Sequence, residues 1–312
     1  MIKISKLLLI TLSSIALVFS AGCGKNEKNR QAEGKLNVVT SFYPLYFLAK
    51  EIGGDNAFVV NLIAAGVEPH EWTPKSSDLT AVSKARVFLY NGAGLEGWVD
   101  DFLHGLGSDS QVMTIEASQG IELIHGNEED GEGVQHSDSG VDPHTWVSPR
   151  SAIVMAANVV EAFVSADPVN KANYEARYAE LNERLIQLDA KYAQELAVYE
   201  KRDIVVSHQA FGYLCRDYGL NQIAIMGLSP EAEPRAQDLL EISRFVKEHE
   251  IPYIFFEELV SEQLARTLAD EANVDTLVLN PLEGLTPEQE QAGEDYFSLS
   301  ERNLENLHKA LR

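Results

Sequence analysis

Three histidines lie far apart in the chain, each on a short stretch between apolar residues. The stretches are Gly66-Val67-Glu68-Pro69-His70-Glu71-Trp72, Asp142-Pro143-His144-Thr145-Trp146 and Val205-Val206-Ser207-His208-Gln209-Ala210-Phe211. Imidazole titrates near neutrality and is the commonest metal-ligating side chain. Taken singly, each reads equally well as a hydrogen-bonded loop histidine. Taken together with one carboxylate they form a nitrogen-rich, borderline-soft set of four donors, which suits zinc. Manganese takes more oxygen ligands. For the oxygen, Glu283 in Leu279-Asn280-Pro281-Leu282-Glu283-Gly284 is the first choice, with Glu68, Glu257 and water as rivals. His125 and His136 sit in the acidic, glycine-bearing segment from His125 to Asp142, which reads either as a solvated loop or as an accessory metal-collecting arm.

Distant residues can share one ion only if the fold carries them to one place. Short apolar runs at Leu36–Thr40, Phe58–Ile63 and Val87–Tyr90 predict strands of a first α/β unit. Runs at Asp203–Ser207, Gln222–Met226, Pro252–Phe256 and Thr276–Leu279 predict a second, and alternation with helical stretches predicts parallel sheets. Between them, Asp167 is placed to cap a helix and Pro168 to begin it. Tyr174, Tyr178, Leu181, Leu185, Leu188, Tyr192, Leu196 and Tyr199 then follow at steps of three and four, one apolar stripe on a helix of roughly 50 Å. A shorter helix is predicted before it, capped by Ser148, started by Pro149, with Ile153, Ala157, Val160 and Val164 on its apolar face. The expected architecture is therefore α/β: two similar lobes with mostly parallel sheets, bridged by one long rigid helix. Ligands of open α/β sheets bind beyond the carboxyl ends of strands. His70, His208 and Glu283 all follow predicted strands and His144 precedes the Ser148-capped helix, which places the four in the cleft between lobes.

A chain of 312 residues is long for one core and favours two domains. With 45% hydrophobic and 23% charged residues it has the composition of an ordinary globular protein. Its net charge of −23 argues against nucleic-acid partners and against adsorption to anionic lipid. Lys3 and Lys6 precede the apolar run Leu7 to Phe19 and the small residues Ser20-Ala21-Gly22, the pattern of a secretory signal. The expected divisions are 1–22 signal peptide, 23–34 tether, 35–150 N-terminal lobe, 151–200 helical bridge and 201–312 C-terminal lobe. After Cys23 the remaining cysteine is Cys215, so the mature chain can form no internal disulfide, and Cys215 is expected to pack as a small buried hydrophobe.

Two resemblances add to this. Ser20-Ala21-Gly22-Cys23 resembles a bacterial lipoprotein box, which implies lipidation of Cys23; the position three before the cysteine is usually Leu and here is Ser20. Almost the whole mature chain resembles the zinc-binding solute-binding lipoproteins of bacterial ABC transporters, a metal-receptor cluster with the TroA-like fold that also includes manganese receptors and streptococcal adhesins. The matching text is Ser41-Phe42-Tyr43-Pro44, Pro69-His70-Glu71-Trp72, Tyr90-Asn91-Gly92-Ala93-Gly94-Leu95-Glu96, Asp142-Pro143-His144-Thr145-Trp146, Ser207 to Tyr213 and Gly227 to Pro234.

The resemblance implies two α/β lobes joined by one long helix, with His70, His144 and His208 as zinc ligands and Glu283 as the fourth. Manganese-type relatives carry a carboxylate where this chain has His208, which favours zinc. It further implies Zn2+ as cargo, an ABC permease as partner, a monomer lipid-anchored on the extracytoplasmic face of the cell membrane, and no catalysis, with adhesion as a secondary activity. The acidic segment departs from the His-rich loop of some relatives, and their disulfide has no counterpart here. The alternatives are a manganese receptor of the same fold and a zinc-dependent hydrolase, the latter without any HExxH pairing in the chain.

Overall fold

The structure, a computed structural model, describes residues 33–125, 140–230 and 234–312. Strands β1 (Leu36–Thr40), β2 (Ala57–Asn61), β3 (Val87–Tyr90) and β4 (Met113–Glu116) form one sheet in the order β2-β1-β3-β4. Strands β5 (Asp203–Val206), β6 (Asn221–Ala224), β7 (Tyr253–Phe256) and β8 (Asp275–Val278) repeat that order as β6-β5-β7-β8. All pairs are parallel, with Val38 opposite Val59 and Val87 in the first sheet and Val205 opposite Ile223 and Ile254 in the second. In each sheet the chain reverses its winding beside the first strand, between β1 and β3 and between β5 and β7. Such switch points open crevices at the carboxyl ends of the strands.

Side chains alternate across a strand with period two, and both faces of these sheets are covered. Val38 and Leu89 point into a core shared with Ile204 and Val206 of the other lobe. Their neighbours Val39 and Phe88 point outward, onto a smaller cluster with Val82 and Phe102. Val205 and Ile254 likewise face a separate cluster with Ile242, Val246 and Leu268. The strand β4 is absent from the predicted set. Only Met113 and Ile115 of its four residues are apolar, and it lies at the sheet edge, so no continuous apolar run marks it.

The central helices are α4 (Pro149–Ala166) and α5 (Lys171–Leu196). Tyr174, Leu181, Leu185, Leu188, Tyr192 and Leu196 of α5 are buried as its stripe predicts, with Tyr178 half-buried. At 26 residues α5 spans about 39 Å. It packs on α1 (Tyr43–Gly53) of one lobe and on α6 (Gly212–Tyr218) and α10 (Tyr296–Ala310) of the other. Arg184 shows the bridging: it pairs with Glu51 of α1 at 3.0 Å and stacks on Phe297 of α10 at 3.9 Å.

Local details differ from expectation. Asp167 stands at the N-cap and Pro168 begins the helical run, as expected, but the first turn is 3-10 and not α, and the Asp167 side chain does not bond the helix backbone. Its Oδ2 accepts from Asn170 Nδ2 and from the Tyr174 hydroxyl, both at 2.8 Å, and residues Pro168–Asn170 form a 3-10 turn before α5 begins. In α4 the buried face is Ala152, Met155, Ala156, Val159, Ala162 and Phe163, whereas Ile153, Ala157, Val160 and Val164 are half-buried. Much of this helix is apolar around its circumference, because it lies among α1, α5, β3 and β4. A periodic stripe is then ambiguous, and the face with small alanines allows the closest approach. Ser148 stands at the N-cap position with Pro149 after it, as expected, but its hydroxyl donates to Asp217 and not to the helix. Cys215 is free and buried, and burial pushes its thiol pKa up, in keeping with an inert core residue.

Candidate metal centre

Each of the four donors reaches the cleft from a different element. His70 lies in the loop between β2 and α2 (Ser76–Ser83), and His208 lies two residues after β5. His144 immediately precedes the short 3-10 turn Thr145–Val147, and Glu283 lies in the loop after β8. The first switch point holds the His144 loop in place. Asn91, just past β3, donates from Nδ2 to the Pro143 carbonyl at 2.9 Å, and its Oδ1 accepts from the Thr145 hydroxyl at 3.1 Å. Glu96 is buried beneath it and accepts from the Ser41 hydroxyl and from the backbone N–H groups of Asn91 and Gly92. Across the cleft, Trp146 donates its indole N–H to the Pro281 carbonyl at 2.8 Å. The Glu283 loop is shaped by Asn280, whose Oδ1 accepts from the Leu282 N–H at 2.7 Å, and by Leu282 itself at φ +63°. A left-handed backbone is uncommon for a bulky residue and here turns the chain directly before the carboxylate.

The donor atoms converge. His70 Nε2 to His144 Nε2 is 3.1 Å, and His144 Nε2 to His208 Nε2 is 3.2 Å. Glu283 Oε1 lies 3.2 Å from His70 Nε2 and 3.5 Å from each of the other two. All four donors fall within 4.8 Å of one another. A tetrahedral zinc site with bonds of about 2.0–2.1 Å has edges of about 3.3–3.4 Å, so the five distances above bracket that edge. Unprotonated imidazole nitrogens this close would repel through their lone pairs, and either a proton between them or a shared cation relieves that. His144, His208 and Glu283 are buried, and His70, with its side chain 9% exposed, lies at the rim.

The rival carboxylates have other partners. Glu68 accepts the backbone N–H groups of His70 and Glu71, closing the turn that carries His70. Glu257 stands behind His208, with Oε2 at 2.7 Å from Nδ1 and Oε1 accepting the His208 N–H at 3.1 Å. Asp142 does the same for His144 through one oxygen, Oδ1, at 2.8 Å from Nδ1 and 2.9 Å from the backbone N. Asp142 did not enter the sequence-based set of site residues. It stands two residues before His144 within the quoted motif, and that spacing was the available signal. His125 is exposed and stands outside the cluster; His136 lies outside the described residues, as does Cys23.

Electrostatics follow from this packing. Burial lowers the His70 pKa, with the nearby carboxylate only partly offsetting it. Burial also disfavours charge on His144 and His208, yet the carboxylates behind them prevail. His144 is raised by Asp142, and His208 is pushed up to about 10 by Glu257 and Glu283. Against its own burial, Glu283 is held well below the usual carboxylate range by hydrogen bonds from the three imidazoles. Burial and the charge of Glu283 push Glu68 up to about 7. The cluster thus sets an ionised carboxylate against three imidazoles, of which His144 and His208 are biased toward the charged form and His70 toward the neutral one.

Comparison with known proteins gives a consistent picture. Residues 38–310 match the family described as the periplasmic component A of the zinc-uptake complex. The zinc-binding lipoprotein AdcA of Streptococcus pneumoniae is 42% identical over 302 residues, covering 96% of this chain and 60% of the relative. The chain thus spans 60% of the length of that relative. The high-affinity zinc uptake system protein ZnuA of Bacillus subtilis is 38% identical, with 93% of both chains covered. The crystal structure of the Zn(II)-bound ZnuA-like domain of S. pneumoniae AdcA superimposes with a TM-score of 0.77 at 42% identity, over 89% of this chain and 99% of that one.

Proposed function

Because this chain belongs to the family of periplasmic zinc-uptake components, we propose that it is an extracytoplasmic receptor that binds Zn2+ through His70, His144, His208 and Glu283 and delivers it to an ABC permease. The observation that carries this reading is the convergence of three Nε2 atoms and one carboxylate oxygen, all within 4.8 Å of one another, in a buried cleft. Three imidazoles favour zinc over manganese. A hydrolytic zinc needs an open fourth position for water; Glu283 at that position supports capture and argues against catalysis, in line with relatives named for binding and uptake.

In this reading residues 1–22 direct export, Cys23 carries the lipid that also gives the S. pneumoniae relative its description as a lipoprotein, and residues 23–34 tether the protein to the membrane. Residues 35–150 and 201–312 are the lobes, 151–200 the bridge, and the receptor works as a monomer. His125 and His136 remain an accessory metal loop in the proposal.

The test is metal content after purification without added metal, followed by competition of zinc against manganese for the protein and for its His208→Ala variant. The expected result is one zinc per chain, preference for zinc, and a sharp loss of affinity in the variant. Unchanged zinc affinity in His208→Ala would refute the site, and preference for manganese would refute the cargo.

A further inference from the structure

We infer that Glu257 is the positioning residue that fixes the tautomer of His208, and that it does so in a way Asp142 does not for His144. The inference rests on the receptor reading and deepens it. The two carboxylates look equivalent, since each sits behind a buried histidine and takes both its backbone N–H and its Nδ1–H. Their oxygens are used differently. Glu257 spends one oxygen on each donor, Oε1 on the backbone N at 3.1 Å and Oε2 on Nδ1 at 2.7 Å. Asp142 takes both donors on Oδ1, at 2.9 and 2.8 Å, and its buried Oδ2 has no hydrogen-bond partner among the described residues.

An amide in place of each carboxylate exposes the difference. Asparagine at position 142 can put its single oxygen where Oδ1 stands and its NH2 where Oδ2 stands, so both donors of His144 keep an acceptor. Glutamine at position 257 has one oxygen for two sites that both need an acceptor. The backbone N–H of His208 cannot move its hydrogen. If the amide oxygen serves it, the NH2 faces Nδ1, and His208 must then carry its proton on Nε2, the nitrogen that points at His144 Nε2 and Glu283 Oε1. If the amide turns over, its NH2 faces the backbone N–H instead, donor against donor. Either way, placing zinc on Nε2 costs more than in the native protein. A single side-chain oxygen, contributed across the switch point from the end of β7 to the end of β5, thus holds the Nδ1 proton of His208 in place, so that Nε2 is the nitrogen that gives way to metal.

The experiment is zinc affinity by chelator competition for the full chain and for Glu257→Gln, Asp142→Asn and His208→Ala, with thermal melting of each metal-free variant. Glu257→Gln should lose affinity by about 10–100-fold, the scale of losing a carboxylate behind a ligating histidine, while melting cooperatively like the native protein. Asp142→Asn should lose at least threefold less than Glu257→Gln. Equal losses, or a Glu257→Gln affinity within threefold of native, overturn the inference. If His208→Ala retains native affinity, the receptor site itself fails; if it loses binding while Glu257→Gln keeps it, only the role of Glu257 fails. Should Glu257→Gln not fold, side-chain nitrogen NMR of the zinc-loaded native protein decides. Metal on Nε2 of His208 with an Nδ1 proton protected from exchange is expected, and metal on Nδ1 or a rapidly exchanging Nδ1 proton overturns the assignment.

Discussion

At the scale of single residues, the cleft sets three imidazoles against a carboxylate that stays ionised, and in the proposed receptor this makes metal capture a proton exchange. His208 has a usual value near 6.5 and is pushed up to about 10 in the fold, because Glu257 and Glu283 outweigh the cost of burial. The sign follows from linkage. A raised pKa means that protonated His208 stabilises the metal-free fold fully below about pH 6.5, and that this contribution fades as pH rises through about 10. A zinc ion entering that site near neutrality is then expected to displace a proton from it. Zinc binding at pH 7 should release protons, and apparent affinity should fall as the pH is lowered. Calorimetric titration in buffers of different ionisation enthalpy checks this; a binding heat independent of the buffer would show that no proton leaves. His70, lowered by burial, contributes little to that release.

At the scale of elements, the loops that carry the four donors rest on helices fixed by burial. Leu185 of α5 is fully buried in the core common to both lobes, and Ile186, the next residue, is 49% exposed. Leu185→Ala should cost about 2–5 kcal/mol, and Ile186→Ala should stay within about 0.5 kcal/mol, measured by denaturant unfolding of the metal-free protein. Similar costs for the two would mean that α5 is not locked in register. The stripe on α5 was legible in the sequence because one face of this helix meets solvent and the contrast is strong. The face of α4 was not, because a helix enclosed on several sides carries apolar residues nearly all round and its period loses meaning. The edge strand β4 escaped for the opposite reason, too little apolar character.

At the scale of the whole molecule, the inner faces of the two sheets share one core, while each outer face packs on a cluster of its own. Leu36, Val38 and Leu89 of the first lobe belong to the same buried cluster as Ile204, Val206 and Phe255 of the second, with α5 and Trp146 running through it. Burial on this scale couples the lobes far more firmly than a pair of flexible linkers would. The metal-free protein should therefore unfold in one cooperative transition, and zinc should move that transition upward by mass action without splitting it. Differential scanning calorimetry with and without zinc is the measurement; two resolved transitions in the metal-free protein would show independent lobes.

The sequence by itself determined the donor types, the two α/β units with a helix between them, and the strand-end positions of His70, His208 and Glu283, because periodicity, turn residues and β-branched runs are local signals. It also left Glu257 and Glu68 level with each other as rivals for the oxygen position. Only the tertiary structure separated them: Glu68 closes the turn beneath His70, Glu257 turns its two oxygens onto His208, and Glu283 faces the imidazoles. Which way a carboxylate points depends on residues as distant as Asn280 and Leu282, or on the neighbouring strand, and no local pattern in the chain encodes that.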